Sequence, residues 1–442
     1  MTNDNCPMTQ KYAQAPDALD EAIRKRKDRG LLSAFGYASN LDLLCAFRQD
    51  VLNRFLTEAL AGSDPDDARP QGRIENRRDL AETILYYCRN GLGGEADLAD
   101  SEALLQIVDA ENAIGGTGVQ ASLALSAVGG ACLSHLTDRS EEVLSILSVP
   151  GIHVVCAEGV LCNPKDLAPE NPPEPHCIVQ YRAGQKIRVG ERVFEVPVSN
   201  RLILTDFTIN GCLPLDHGTL QWIEENASRV PSLLLSGFNC ITELSVLQER
   251  IRAVSEHAAR YHRNHPSGIV YYENGDYHRE VFLETVLREL LPSVDIVGMN
   301  EEELEKTLRM VGEFPDLSDI LSVVRGAELL ISRFGIKKGM VIHTKDYSMY
   351  VGEPLPADIE SGLMYGNMMA AAKALHGFFG TSREVRETLN LPLSKTGCAF
   401  LRILSETALR GRAILVPTRY IEAPAHTIGL GDTFTAGVHL CF

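Results

Sequence analysis

Residues 424–442 read PAHTIGLGDTFTAGVHLCF. Gly429-Leu430-Gly431-Asp432 closes an apolar segment, and the residues from Thr433 on read as the first turns of a helix. A Gly-x-Gly turn that opens a helix leaves several backbone N–H groups unpaired and aimed at one point, under the positive end of the helix dipole. Such a point binds a phosphate, or the negative charge that develops on one during transfer. Asp432 stands at its mouth, where a carboxylate accepts the proton of an attacking hydroxyl. Four residues make a short motif, and the plain alternative is a glycine turn with an aspartate helix cap.

Upstream of this corner, strand and helix alternate. Strands are predicted near residues 202–206, 233–237, 269–272, 295–298, 340–343 and 414–417, with helices at 243–262, 278–290 and 317–334. Repeated β-α units of this length predict a parallel sheet covered by helices on both faces. The N-terminal half is less regular. Residues 1–15 read as a disordered tail, 17–29 as a charged surface helix, and 31–37 as the first strand, ending at Asn40 and Asp42. Residues 46–109 look helical with charged insertions, broken at Gly62-Ser63-Asp64-Pro65 and Gly91-Leu92-Gly93-Gly94. Gly115-Gly116-Thr117-Gly118 opens another helix, followed by strands at 131–134 and 152–157. After a proline-rich loop at 163–175, residues 177–181 and 193–196 read as a small antiparallel section. The expected organisation is a large α/β domain (31–45, 116–160 and 202–442) with a smaller α/β lid (46–115 and 161–201).

Of the 442 residues, 42 are Lys or Arg and 59 Asp or Glu, a net charge of −17. That balance argues against nucleic acid or an anionic membrane as a partner. No apolar run reaches the roughly eighteen residues that span a bilayer, and the polar start MTNDNCPMTQKYAQ lacks a signal-peptide core, so the expected location is cytoplasmic. The eleven cysteines are scattered, with no Cys-x-x-Cys pair. This argues against metal clusters and a disulfide scaffold, and for buried reduced thiols.

Ligands of an open parallel sheet bind at the C-terminal ends of its strands. Standing there are Glu273, Asn300-Glu301-Glu302-Glu303, His343-Thr344-Lys345, and Asn40 with Asp42. Glu273 and Glu303 share that edge with Asp432, and hard oxygen ligands suit Mg²⁺ bridging nucleotide phosphates. Each also has a plain reading, Glu303 as a first-turn helix carboxylate and Glu273 as a solvated charge. His176, after a proline-rich loop and before a strand, reads as a structural or a functional histidine, the structural reading being the commoner. Arg201 reads as a solvated strand-end charge or a phosphate cation, and Lys186 is a weaker candidate for that task.

The pattern resembles the ADP-dependent glucokinases and phosphofructokinases, a branch of the ribokinase-like sugar kinases, from the first strand to the last residue. Asn300-Glu301-Glu302-Glu303 resembles the family's Asn-x-x-Glu, Glu273 the end of its His-x-Glu, and Gly429-Leu430-Gly431-Asp432 its catalytic Gly-x-Gly-Asp. Ser39-Asn40-Leu41-Asp42, Gly115-Gly116-Thr117-Gly118, Gly91-Leu92-Gly93-Gly94-Glu95, Pro173-Glu174-Pro175-His176, Ser199-Asn200-Arg201 and His343-Thr344-Lys345 are similar to further family motifs. Tyr271 departs from the His of His-x-Glu, Thr117 from a usual Gln or Asn, and residues 433–437 are closer to the ATP-using relatives. Chain length favours the ADP branch.

The resemblance implies a ribokinase-like α/β fold, with a central, mostly parallel sheet, helices on both faces and a smaller α/β lid. It implies a Mg²⁺-dependent transfer of the terminal phosphoryl of ADP to a hexose or hexose phosphate hydroxyl. Asp432 with Gly429 and Gly431 would be catalytic. Asn40, Asp42, Glu95, Gly116, Thr117, His176 and Arg201 would meet the sugar, and Asn300, His343, Thr344 and Gly431 the nucleotide. Glu273, Glu303 and Asp432 would be linked to the metal. The alternatives are an ATP-dependent sugar or nucleoside kinase, and a sugar- or nucleotide-binding regulator with little turnover.

Overall fold

A computed structural model describes residues 6–156, 159–205, 208–277, 279–409 and 411–442. Its larger sheet has ten strands, in the order Ala413–Pro417, Tyr347–Gly352, Gly339–His343, Ile296–Asn300, Ile269–Glu273, Ser232–Leu235, Ser33–Phe35, Cys132–Ser134, Ile152–Val155 and Leu161–Cys162. The central strands are parallel; both edges close with antiparallel pairs. Side chains alternate across a strand, and here they feed two separate cores. Phe35, Leu234, Tyr271, Ile296 and Val341 pack on one face, while Ala34, Leu233, Val270, Val297 and Met340 pack on the other. This double burial is why the strands read as continuous apolar runs.

One face is covered by the helices Met8–Asp28, Thr117–Ala127, Ile359–His376 and Leu430–Val438. The other carries His217–Glu225, Leu244–Asn264, Glu280–Thr285, Glu301–Met310 and Ile320–Phe334. Helices Ile359–His376 and Leu430–Val438 cross at Gly366 and Gly437, where a Cβ on Gly437 would overlap the Gly366 backbone. That contact seats the helix bearing Asp432 against the body of the protein.

The second sheet has six strands, in the order Arg73–Ile74, Gly94–Leu98, Asn200–Thr205, Pro175–Tyr181, Asn40–Phe47 and Val108–Gly115. Several expectations are corrected by it. Residues 40–45 and 202–205, assigned from sequence to the larger unit, are strands of this sheet, because each pairs along its length with smaller-sheet neighbours. Residues 46–109 are not uniformly helical. Helices Gln49–Ala59 and Arg77–Asn90 are interleaved with short strands whose charged outer faces imitate a helical pattern. Strand Tyr347–Gly352 was not anticipated. Asp206, His278 and Ala157, at the ends of predicted elements, lie outside the described residues.

The predicted N-terminal tail is also corrected from residue 8 onward. Met8–Asp28 is one helix whose buried stripe includes Tyr12, Ala15, Leu19 and Ile23, an amphipathic spacing. Tyr12 donates to Pro417 O at 2.8 Å and accepts from Asn367 Nδ2 at 3.1 Å. Arg26, buried, donates to Ser33 Oγ at 2.9 Å and to Phe442 O at 2.6 Å. Residues 1–5 lie outside the described part. The expectation of wholly reduced thiols is corrected as well. Cys156 and Cys162 form a disulfide, because strand Leu161–Cys162 folds back antiparallel onto Ile152–Val155. No described helix is long and apolar enough to cross a membrane.

Candidate active site

Gly429 has φ +67° and ψ +24° and is the N-cap of helix Leu430–Val438. That left-handed conformation costs a Cβ-bearing residue about 1–2 kcal/mol, and a Cβ here would also overlap Gln120 Oε1 and lie 2.7 Å from Lys373 Nζ. Gly429 O accepts from Thr433 N at 3.1 Å and Thr433 Oγ1 at 2.8 Å, which locks the turn. The N–H groups of the first helical turn are left facing outward. Asp432 sits in that turn, half-buried. Burial raises its pKa and the charge of Glu273 adds to this, while the Thr117 hydroxyl and the Lys373 ammonium oppose it. Thr117 opens helix Thr117–Ala127 directly after Gly116, so the pair Gly116-Thr117 lies beside Asp432.

On the smaller sheet, Asn40 and Asp42 lie two residues apart on one strand and therefore on one face. Asn40 Nδ2 donates to Asp42 Oδ1 at 2.7 Å. Asp42 pairs in register with His176, whose Nδ1 is 4.0 Å from the carboxylate. Burial drives the Asp42 pKa up to about 7, and the charge of Asp432 contributes to the rise. Burial pushes His176 down to about 4, so its imidazole is neutral near pH 7. Glu95, on strand Gly94–Leu98, lines a cavity of about 300 Å³ with Asn239, Cys240, Tyr277 and Arg279. Arg201 and Lys186 are exposed on their strands, and Arg201 makes no ion pair among the described residues.

On the other side of Asp432 is a cleft of about 650 Å³ lined by Asn300, His343, Thr344, Leu430, Gly431 and Phe434. Ala370, Ala371 and Ala374 add a smooth apolar wall, of the kind that accepts a flat base. The His343 ring lies 5.1 Å from that of Phe434. His343 Nε2 is 2.8 Å from Glu273 Oε1. Burial disfavours its charge, but Glu273, Glu303 and Glu301 outweigh burial, and its pKa rises above the ordinary range. Thr435 Oγ1 donates to the other Glu273 oxygen at 3.1 Å. Tyr271 is fully buried, and burial together with Glu273 holds its phenol well above its usual pKa.

Glu303 fits the plain reading in its geometry. Asn300 and Glu303 form a reciprocal capping box, with Glu303 N to Asn300 Oδ1 at 2.9 Å and Asn300 N to Glu303 Oε2 at 3.2 Å. Burial, reinforced by Glu273, nevertheless raises the Glu303 pKa to about 7, unusual for a simple cap. The Thr344 hydroxyl is engaged in a turn, accepting from Asp346 N and Tyr347 N at 3.1 and 3.0 Å. Among the described residues, no three acidic, His or Cys groups gather tightly enough to cage a metal. Glu273 is felt as a charge by both Glu303 and Asp432.

Lys373 and Gln120 escaped the sequence reading. Lys373 is 4% exposed, and its Nζ donates to Gln120 Oε1 at 2.7 Å and Gly429 O at 3.3 Å. Burial lowers its pKa to about 8, against the pull of Asp432 and Asp42. The signal for the lysine was present: a single charge inside the apolar stretch Met368-Met369-Ala370-Ala371-Ala372-Lys373-Ala374-Leu375.

The conserved region of ADP-specific phosphofructokinases and glucokinases matches residues 33–440. The chain belongs to this family. An ADP-specific phosphofructokinase of Thermococcus kodakarensis is 24% identical to it, over 93% of this chain and 95% of the relative. An ADP-dependent glucose/glucosamine kinase of Pyrococcus abyssi is 25% identical, over 96% of each chain. The crystal structure of a hypothetical ADP-dependent phosphofructokinase from Pyrococcus horikoshii has the same fold. It is 19% identical, with a TM-score of 0.79 over 93% of this chain and 98% of that one. Helix Met8–Asp28 precedes the matched residues 33–440.

Proposed function

We propose that this family member is a Mg²⁺-dependent sugar kinase that moves the terminal phosphoryl group of ADP to a hydroxyl of a hexose or hexose phosphate. The observation that carries the reading is the place of Asp432. It stands on a glycine-opened helix terminus between the cleft at Asn300, His343 and Gly431 and the buried polar cluster of Asn40, Asp42 and His176. The names of the relatives, which include both a phosphofructokinase and a glucose/glucosamine kinase at nearly equal identity, set the two acceptor classes.

The cleft holds the nucleotide, with Asn300 and Gly431 at its phosphate end and the alanine wall against the base. Thr344 shapes that end through its hairpin. Asn40, Asp42, Glu95 and neutral His176 hold the acceptor's hydroxyls, Gly116 and Thr117 shape the floor beneath it, and Arg201 enters only when the smaller sheet closes as a lid. Asp432 accepts the proton of the attacking hydroxyl, while the N–H groups from Gly429 to Gly431 receive the charge of the phosphoryl in flight. Closure of the smaller sheet excludes water from the transfer.

A buried Glu273 and a half-buried Glu303 fit a cation that the protein would hold through water, not a cage made by protein alone. Glu273, Glu303 and Asp432 would hold Mg²⁺ in this way, and the ion would supply neutralising charge for the phosphates. The substrates are small molecules, and a cytoplasmic location fits them. One panel tests the reading: purified protein with Mg²⁺ and ADP or ATP, against glucose, glucosamine, fructose 6-phosphate and a nucleoside. Turnover with ADP above ATP on a hexose or its phosphate is expected. Preference for ATP overturns the donor, and binding without turnover would make the chain a regulator.

A further inference from the structure

A buried lysine needs a reason, because an ammonium taken out of water loses several kcal/mol of solvation unless it is paired. Lys373 projects from helix Ile359–His376 with no carboxylate within ion-pair distance among the described residues. Its contacts are two neutral oxygens, Gln120 Oε1 at 2.7 Å and Gly429 O at 3.3 Å, and the face of Phe379, 4.0 Å from its centroid. Gln120 in turn donates through Nε2 to Ile114 O at 2.8 Å. Ile114 belongs to the smaller-sheet strand Val108–Gly115, which pairs Gly115 with Asn40 and Ala113 with Asp42.

One continuous chain of hydrogen bonds therefore runs from the acceptor strands to the anion-binding turn. It passes through Ile114 O, the Gln120 amide, the Lys373 ammonium and Gly429 O. Helix Thr117–Ala127, which carries Gln120, also carries Thr117 against Asp432.

Resting on the kinase reading above, we propose that Lys373 is a positioning residue, holding the Gly429 turn in register with the strands that carry Asn40 and Asp42 so that acceptor and phosphoryl group meet in line. Gln120 is the second half of this tie. A neutral hydrogen-bonding residue at 373 would satisfy one oxygen; an ammonium satisfies both and attracts Asp42 and Asp432 toward the same point. Transfer geometry is sensitive to such placement, a 1 Å error costing about 10²-fold in rate.

The test uses the full chain with Lys373→Met, Gln120→Leu, the double variant and Lys373→Arg, assayed over a range of donor concentrations at saturating acceptor. Lys373→Met is expected to lower kcat by about 10²-fold while the nucleotide KM moves by less than about threefold, the signature of an interaction that acts in the transition state. Gln120→Leu should lose rate in the same way, and the double variant should be no slower than the slower single, since both cut one tie. Lys373→Arg keeps a donor cation and recovers most of the rate. Wild-type kcat in Lys373→Met, or losses that multiply in the double variant, overturn the tie and leave the kinase reading standing. A wild type with no turnover on any acceptor overturns both. Should Lys373→Met not fold, Gln120→Leu decides alone, and an unchanged kcat there refutes the proposal.

Discussion

Glu303→Gln separates a helix cap from a carboxylate kept for function. Glutamine preserves the capping box with Asn300, so a pure cap would lose little. The Glu303 carboxyl, however, titrates at about 7 instead of the ordinary 4.5, because burial and Glu273 disfavour its charge. Each pH unit is worth about 1.4 kcal/mol, so about 3 kcal/mol of folding free energy is withheld once both states are ionised. Partial exposure reduces the expected figure to about 1–2 kcal/mol. The sign follows from the raised value. The folded state holds its proton longer, so wild type loses stability as pH rises from about 4.5 to about 7 and then levels off. The Glu303→Gln variant lacks this loss. Thermal melts of the ligand-free protein should therefore show the variant rising above wild type by about 2–4 °C at pH 8, with the gap shrinking toward pH 5. In the kinase assay the same variant should need more magnesium for half-maximal rate, with the sugar KM little changed. A melt below wild type at every pH, with an identical magnesium titration, would refute the reasoning and leave Glu303 as a cap.

The remaining predictions concern single contacts. Asp432→Asn should reduce kcat by about 10²–10⁴-fold with a melt within a few degrees of wild type; a loss of about 0.5–2 kcal/mol in stability with kcat intact would make Asp432 a cap. Gly429→Ala should cost about 1–2 kcal/mol for its left-handed backbone and, by displacing Gln120 and Lys373, slow turnover more than it weakens nucleotide binding, which steady-state kinetics would check. Tyr12→Phe leaves Pro417 O and Asn367 Nδ2 without their partner and should cost about 1–3 kcal/mol. Because Asn367 lines the cleft proposed for the nucleotide, the nucleotide KM should rise, and an unchanged KM would confine that helix to stability.

The main sheet was legible because its strands are buried on both faces, so strands such as Ile269–Glu273 and Gly339–His343 are nearly continuous runs of apolar residues. The turn at Gly429 and the strand-end placement of Glu273, Asn300 and His343 were legible for a related reason. A tight turn into a helix demands glycine, and the ends of parallel strands are local in sequence. The smaller sheet was harder to read. Its strands are short, one face is solvated, and Arg73–Ile74 and Gly94–Leu98 sit among charged residues that mimic exposed helix.

Local chemistry thus determined the α/β class, the glycine turn at the head of the last helix and most candidate side chains, since each depends on residues a few positions apart. Tertiary structure decided what depends on distant partners. Asn40–Phe47 and Asn200–Thr205 joined the smaller sheet because pairing with strands far along the chain outweighs the order of the sequence. Glu303 became both cap and raised-pKa acid because the fold buried it and brought Glu273 beside it. Lys373, a lone charge in an apolar helix, gained meaning only when Gln120 and Gly429, 253 and 56 residues away, closed around its ammonium. Burial and charge act through space, and the sequence lists neighbours only along the chain.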